Sequence, residues 1–167
     1  NTGMARRVAL HLMRLFGKKP GGAILSPMIA NLIVSPLTPS NTARTAAMLP
    51  IVEGVAQAYR VEPGKSNFGK ALFIANTFAS NITAGGFLTA TIPNPVAIGM
   101  MVTAMGGAAV ATSWGFWALA ALPTTLIVLV GSQYVVRWIY PPEMKDIPGG
   151  LDYIEKELAA MGPTTTR

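Results

Sequence analysis

Pro36-Leu37-Thr38-Pro39-Ser40-Asn41-Thr42-Ala43-Arg44 separates two apolar segments, neither of which crosses a bilayer comfortably. The run from Pro20 to Ser35 contains no charged residue. At 1.5 Å per residue such a helix is roughly 24 Å long, short of the roughly 30 Å hydrocarbon core. Pro36 and Pro39 then stop it, because proline removes a backbone donor and clashes with the preceding turn. Ser40-Asn41-Thr42 opens the next helix and supplies its N-cap. The pattern describes a helical hairpin that enters the membrane, turns at mid-depth and leaves by the same side. Its tip has free carbonyls, and the following helix points its positive dipole end at them. Irregular backbone at that depth is tolerated inside protein or beside a watery cavity, and small hydroxyl and amide groups there suit an ion or a carboxylate. In a soluble protein the same tripeptide is an ordinary helix cap; the flanking apolar runs and the arginine two residues on favour the intramembrane turn.

Composition supports a membrane setting. Of 167 residues, 51% are hydrophobic and only 12% charged, about half the usual share of charged residues in a soluble domain. No Asp, Glu, Lys or Arg occurs from Ala71 to Val136, enough chain for two crossings. The net charge of +6 falls in short flanks between apolar runs, as in cytoplasmic loops. Aromatic residues are not interleaved with those charges, which argues against nucleic-acid binding. Cysteine is absent, and the single histidine, His11, lies among arginines. Thiolate metal sites are therefore excluded, no catalytic residue or metal ligand is assigned, and no cofactor is implied by the residues themselves. An intramembrane enzyme would need a nucleophile with a base, or paired aspartates. No Asp, His or Cys lies between Pro20 and Val136.

Working outward from the tip, residues 1–19 hold an amphipathic interfacial helix, Met4 to Phe16, with Val8, Leu12, Leu15 and Phe16 at helical spacing and Arg6, Arg7 and Arg14 supplying charge. Residues 20–62 form the re-entrant hairpin, with Glu53 near its exit and Pro63-Gly64 as the turn beyond it. Residues 66–112 form an interrupted transmembrane helix. Leu72 to Phe78 reads as helix, followed by the polar Ala79–Gly86 run; Pro93 and Pro95, flanking Asn94, end one half-helix and begin another, so the span is polar at its break. Residues 113–140 form a further transmembrane helix, with Trp114 and Trp117 at one interface and Arg137, Trp138 and Tyr140 at the other. Residues 141–167 read as a cytoplasmic linker with a short helix from Asp152 to Met161. The chain begins at Asn-Thr-Gly and reads as an internal piece of something longer.

The tip string resembles the first S-N-T signature of the divalent-anion:sodium symporter family, and its TPSNTAR form is similar to the citrate/succinate and 2-oxoglutarate/malate translocator branch. Phe78-Ala79-Ser80-Asn81-Ile82-Thr83 with Ile92-Pro93-Asn94-Pro95 resembles that family's interrupted helix, and Tyr140-Pro141-Pro142-Glu143-Met144-Lys145 with Met161-Gly162-Pro163 resembles its cytoplasmic linker. The resemblance implies an all-α membrane protein. It implies one partial inverted-repeat half of an elevator-type transporter that works as a homodimer in the lipid bilayer. The setting is a bacterial inner (plasma) membrane, with the plastid envelope as the other option.

The implied activity is secondary active transport of di- and tricarboxylates such as malate, succinate, 2-oxoglutarate and citrate, by exchange or by cation-coupled symport. Ser40, Asn41 and Thr42 would contact a substrate carboxylate. Backbone oxygens around the tip, including Thr38, and around Thr83-Ala84 would line a site for Na+ as coupling ion. Asn81 would line the cavity or satisfy backbone freed by the break, and the same choice applies to Asn76, Ser80 and Asn94. Arg44 would neutralise part of the substrate charge, or else pair with protein carbonyls. With one tip only, the piece is not expected to transport by itself. The alternative is a structural or channel-forming membrane subunit without carrier activity.

Overall fold

The computed structural model describes residues 4–17, 19–59, 61–105, 113–144, 155–156 and 158–160, with backbone alone for residues 4–9 and 58. Among the described residues every regular element is helical: α1 (Met4–Phe16), α2 (Pro20–Val34), a 3-10 turn (Ser35–Leu37), α3 (Asn41–Ala58), α4 (Asn67–Gly86), a second 3-10 turn (Leu88–Ala90), α5 (Pro93–Ala104) and α6 (Trp114–Ile139).

The ends of these helices follow local chemistry. Pro20 opens α2, where a missing N–H costs nothing and a fixed φ helps. The Ser40 hydroxyl caps α3 by accepting from the Ala43 N–H at 3.2 Å, and Ser66 and Ser113 cap α4 and α6 in the same way. Gly64 takes a positive φ of 77° in the turn between α3 and α4, a conformation that favours glycine. Pro27, Pro50 and Pro123 lie inside α2, α3 and α6.

Helix α4 is the centre of the packing. Both hairpin arms and α6 lie against it, while the two arms touch each other only slightly. The faces that meet are built from small and flexible side chains. Ala23, Ala30, Ala71, Ala75 and Ala79 bring backbones close, and Ile24, Met28 and Leu72 fill the gaps. Asn31 and Asn76, 0% and 1% exposed, meet inside this seam, where the Asn31 amide donates to Pro27 O at 2.9 Å and to Asn76 Oδ1 at 3.0 Å. A buried polar pair of this kind sets register, since a slip would leave both amides unpaired. Gly86 abuts Thr125 of α6; a Cβ there would lie 3.0 Å from that side chain.

Two features depart from expectation. Helix α4 extends past Phe78: it runs unbroken through Gly86, and the interruption covers residues 87–92. Ser80, Asn81 and Thr83 stay helical because they bond to backbone without displacing the helix. Asn81 Nδ2 donates to Thr77 O at 2.9 Å, and Thr83 Oγ1 to Ala79 O at 2.7 Å. Pro93 starts the new helix, as expected of the prolines here.

The second departure concerns α1. Among its described side chains Leu10 and Met13 are buried, whereas Leu15 and Phe16 are exposed. The apolar side chains cover a wider arc than the stripe that docks on α2 and α3. The expected Asp152–Met161 helix falls largely outside the described residues, and so do Arg60, Gly106-Gly107 and Thr112.

Beyond α6, the chain folds back onto the start of α4. The Glu143 carboxylate accepts from the N–H groups of Asn67 and Phe68 and from the Ser66 hydroxyl. Desolvation pushes this carboxyl up, but the hydrogen bonds from Asn67, Glu143's own amide, Phe68 and Ser66 outweigh it and hold it below the usual carboxylate range. A negative charge at a helix N-terminus also complements the dipole.

Candidate functional site

The hairpin tip and the α4–α5 break lie side by side and are tied by a dense set of polar contacts. The Ser35 hydroxyl donates to Thr83 O at 2.8 Å, and the Thr89 hydroxyl to Pro36 O at 2.8 Å. Ser80 Oγ donates to Asn41 O at 2.7 Å, and Thr45 Oγ1 donates to the same oxygen at 2.9 Å. Helix α6 joins from the other side. The Trp114 indole donates to Thr89 Oγ1 at 3.2 Å and the Trp117 indole to Gly85 O at 3.0 Å, while the Trp114 ring stacks on Phe87. The two tryptophans expected at an interface thus hold α6 to the break.

Arg44 lies beneath this arrangement, 1% exposed. Its guanidinium donates to Thr38 O at 2.9 Å, Ser80 O at 2.8 Å and Ala90 O at 3.3 Å, three carbonyls from three different segments. Its Nε–H has no partner among the described residues. A rigid planar fork with five donors can bridge three carbonyls; a lysine ammonium on a flexible stem has no such preset geometry.

Of the residues expected at a substrate site, Thr42 is exposed, Ser40 and Asn41 are partly exposed, and Arg44 is buried below them. The N–H groups of Asn41 and Thr42, first in α3, have no acceptor within the helix and are available at the same face. Asn41 Nδ2 donates to Asn81 Oδ1 at 2.8 Å, which brings Asn81 to the tip. Thr38 is partly buried and its carbonyl serves Arg44. Thr83 and Ala84 are buried; the Thr83 carbonyl accepts from Ser35 and the Ala84 carbonyl from Asn94. Asn94 also donates to Phe87 O at 2.9 Å, so its amide closes the end of α4. Asn76 lies in the α2–α4 seam, away from the tip.

These contacts test the fit of a sodium ion. A dehydrated cation needs several oxygen ligands with lone pairs directed at it. The carbonyls of Thr38, Ser80, Thr83, Ala84 and Ala90 each already accept a hydrogen bond, and the group on which three of them converge is itself a cation. Each of these carbonyls keeps a second lone pair; the Arg44 charge weighs against a cation at the three it joins, while Thr83 and Ala84 lie outside that set.

Sequence reasoning missed Ser35, Thr89 and the tryptophan contacts. Their partners lie 25 to 53 positions away, and no local pattern marks such pairs. Among the described residues no group of His, Cys, Asp and Glu could hold a metal ion.

Comparison with known proteins assigns the chain to a family. The model of the family described as sodium:sulfate symporter transmembrane region matches residues 1–167. L-tartrate/succinate antiporters of Escherichia coli (strain K12) and Shigella flexneri are each 33% identical over 170 residues. The alignment covers 99% of this chain and 34% of each relative, so the chain spans about a third of their length. That family comprises membrane transporters and not enzymes, and the chain belongs to it.

Proposed function

We propose that this chain forms one half of the binding site of a di- or tricarboxylate exchanger, with the S-N-T tip contacting a substrate carboxylate. The observation that carries the reading is the tip itself: Ser40, Asn41 and Thr42 face outward at a helix N-terminus, directly above the buried Arg44 guanidinium. A dicarboxylate is costly to dehydrate, and water must be replaced by aimed donors. The two hydroxyls, the Asn41 amide and the first N–H groups of α3 supply them, and the dipole adds positive potential. Arg44 contributes a fixed charge and holds the tip through its carbonyl bonds.

The membrane arrangement we propose has residues 1–19 at the surface and residues 20–62 as a re-entrant hairpin. Residues 66–112 then cross with an interruption, residues 113–140 cross back, and residues 141–167 lie on the cytoplasmic side. Charge placement supports it. Lys19, Glu62, Lys65, Lys70, Arg137 and Glu143 lie near helix ends remote from the tip, and Arg44 alone is beside it. Glu53 is exposed, and twelve residues of α3 separate it from Asn41, about 18 Å. The α2 arm is roughly 22 Å long, which sets the tip inside a core of about 30 Å rather than across it. The Pro20–Leu37 window, which takes in the 3-10 turn beyond α2, is 56% buried against 22% for Trp114–Ile139, as suits an arm packed in protein beside a more exposed span. The outward apolar face of α6, with Leu119, Ile127 and Trp138, suits lipid or the remainder of a longer protein.

Exchange is favoured over sodium symport because the tethered guanidinium supplies a fixed positive charge to the site without a coupling ion. Two carboxylates then swap against a constant protein charge. The antiporter names of the relatives support this reading. We place the full-length protein in a bacterial inner membrane as a homodimeric elevator-type carrier, completed by a second S-N-T tip. Counterflow of labelled malate or citrate by the full-length protein in liposomes, with and without sodium, tests the proposal. Saturable, sodium-independent counterflow is expected. Uptake that requires a sodium gradient would overturn the role given to Arg44, and unsaturable flux would favour a channel or scaffold.

A further inference from the structure

We infer that Asn81 is a positioning residue that fixes which edge of the Asn41 carboxamide meets the substrate, and that the edge presented selects for a hydroxyl on the dicarboxylate. The inference rests on the exchanger reading above. Asn81 Nδ2 donates to Thr77 O at 2.9 Å. A main-chain carbonyl only accepts, so the Asn81 amide cannot be turned the other way without losing that bond. Its Oδ1 is thereby committed to the side of Asn41. An acceptor in that position can be met only by the Asn41 NH2 group, and the 2.8 Å contact from Asn41 Nδ2 to Asn81 Oδ1 is the result. The Asn41 backbone is held as well, because its carbonyl accepts from both Ser80 and Thr45.

Two consequences follow for the open face of the tip. Asn41 keeps one N–H for a carboxylate, and its Oδ1 accepts from no described residue. An acceptor oxygen in a site for a dianion is unfavourable against a second carboxylate oxygen, and favourable against a donor. The donor that a small dicarboxylate can offer is a hydroxyl on its carbon chain. A tip with Asn41 free to turn would present two N–H groups instead and would have no use for that hydroxyl. The chemical class selected is therefore a 2-hydroxydicarboxylate over the same skeleton without the hydroxyl. Thr42 lies on the same face, but a hydroxyl donates or accepts by rotating, so it cannot impose this choice.

The test uses the full-length protein in liposomes and compares exchange of labelled malate with exchange of labelled succinate, which differ by one hydroxyl. The unmodified protein is expected to show a KM for malate about tenfold below that for succinate, the upper end for one net hydrogen bond at an exposed site. Asn81→Ala frees the Asn41 amide; the ratio should fall to about one, with the KM for succinate moving less than about threefold. Asn81→Ser is the second variant. Its short hydroxyl can bond back to Thr77 O and keep α4 intact, yet it cannot reach Asn41, so the same loss of ratio is expected. Equal losses for both substrates in the two variants would mark a merely structural role and overturn the inference. An unmodified protein that exchanges both diacids without preference would also overturn it, leaving the exchanger reading in place. An unmodified protein that exchanges neither would overturn the exchanger reading itself, and the inference with it.

Discussion

At the hairpin tip, α2 runs into a 3-10 turn, two prolines and the start of α3; at the break, α4 runs into a 3-10 turn, a proline and the start of α5. The two turns differ in where their polar groups point. At the tip, α3 has a serine cap, and Ser40, Asn41 and Thr42 remain at least partly exposed. At the break, α5 has no side-chain cap, and its asparagine reaches backwards to the carbonyls of Ala84 and Phe87. At the tip, Thr38 O accepts from Arg44 and Pro36 O from Thr89 of the break, and the outer face stays available. At the break, Asn94 serves Ala84 and Phe87, while Ala90 O accepts from Arg44. A binding turn and a structural turn can therefore share a backbone plan. What separates them is whether the turn's own polar side chains are spent on its backbone or stay partly exposed.

The sharpest way to break this comparison is to remove the support beneath the tip. Arg44→Ala leaves three buried carbonyls without their donor. Hydrogen bonds to a charged group are worth about 1.5–3 kcal/mol each. Exchange by the full-length protein should fall at least about a hundredfold, with a lower Tm. Arg44→Lys should recover only a minor part of the activity, since the ammonium cannot bridge the same carbonyls. Unchanged uptake in Arg44→Ala would remove Arg44 from the site.

Asn94→Ala should act on stability rather than affinity. It removes a donor from the carbonyls of Ala84 and Phe87, the latter keeping the Ala90 N–H, and should cost about 1–3 kcal/mol in unfolding, while the substrate KM of the surviving protein stays within about twofold. Thr42→Ala should do the reverse. Thr42 is exposed and makes no bond that holds the fold, so Tm should stay unchanged while KM rises about three- to tenfold. A KM effect from Asn94→Ala as large as that from Thr42→Ala would erase the distinction between the two turns.

The smallest effect is expected at Glu143, remote from both turns. Its folded-state carboxyl is held below the usual range, so its contribution to stability is present above the ordinary carboxylate pKa and is lost as pH falls through the lowered folded value. The exposed position limits the size of that contribution. Glu143→Gln should lower stability at neutral pH by no more than about 1 kcal/mol, as for loss of a helix cap. The difference from the unmodified protein should vanish in acid, as read by thermal unfolding across pH.

Much of this was legible beforehand because it is local. Proline positions, serine caps and uncharged runs placed α1, α2, α3 and α6 within a residue or so, since helix ends depend on side chains only a few positions away. The prolines at 93 and 95 mark the break in the sequence, but the polar run from Ala79 to Gly86 does not show where α4 ends. Asn81 and Thr83 instead bond to their own helix, and Ser80 bonds to the tip. The role of Arg44 was open for the same reason: an arginine near a turn meets either a ligand or carbonyls, and those of Ser80 and Ala90 lie 36 and 46 positions away.

Composition and periodicity by themselves determined that this chain is helical, built for a membrane and interrupted at Ser40, because hydropathy, proline geometry and capping act over a few residues. Only the tertiary structure decided that α4 rather than the hairpin is the hub, that the two turns are joined, and that the buried guanidinium fills the carbonyl cluster. Those outcomes depend on which distant groups meet when backbones pack closely, and unpaired polar atoms in a low-dielectric interior cost too much to be left alone.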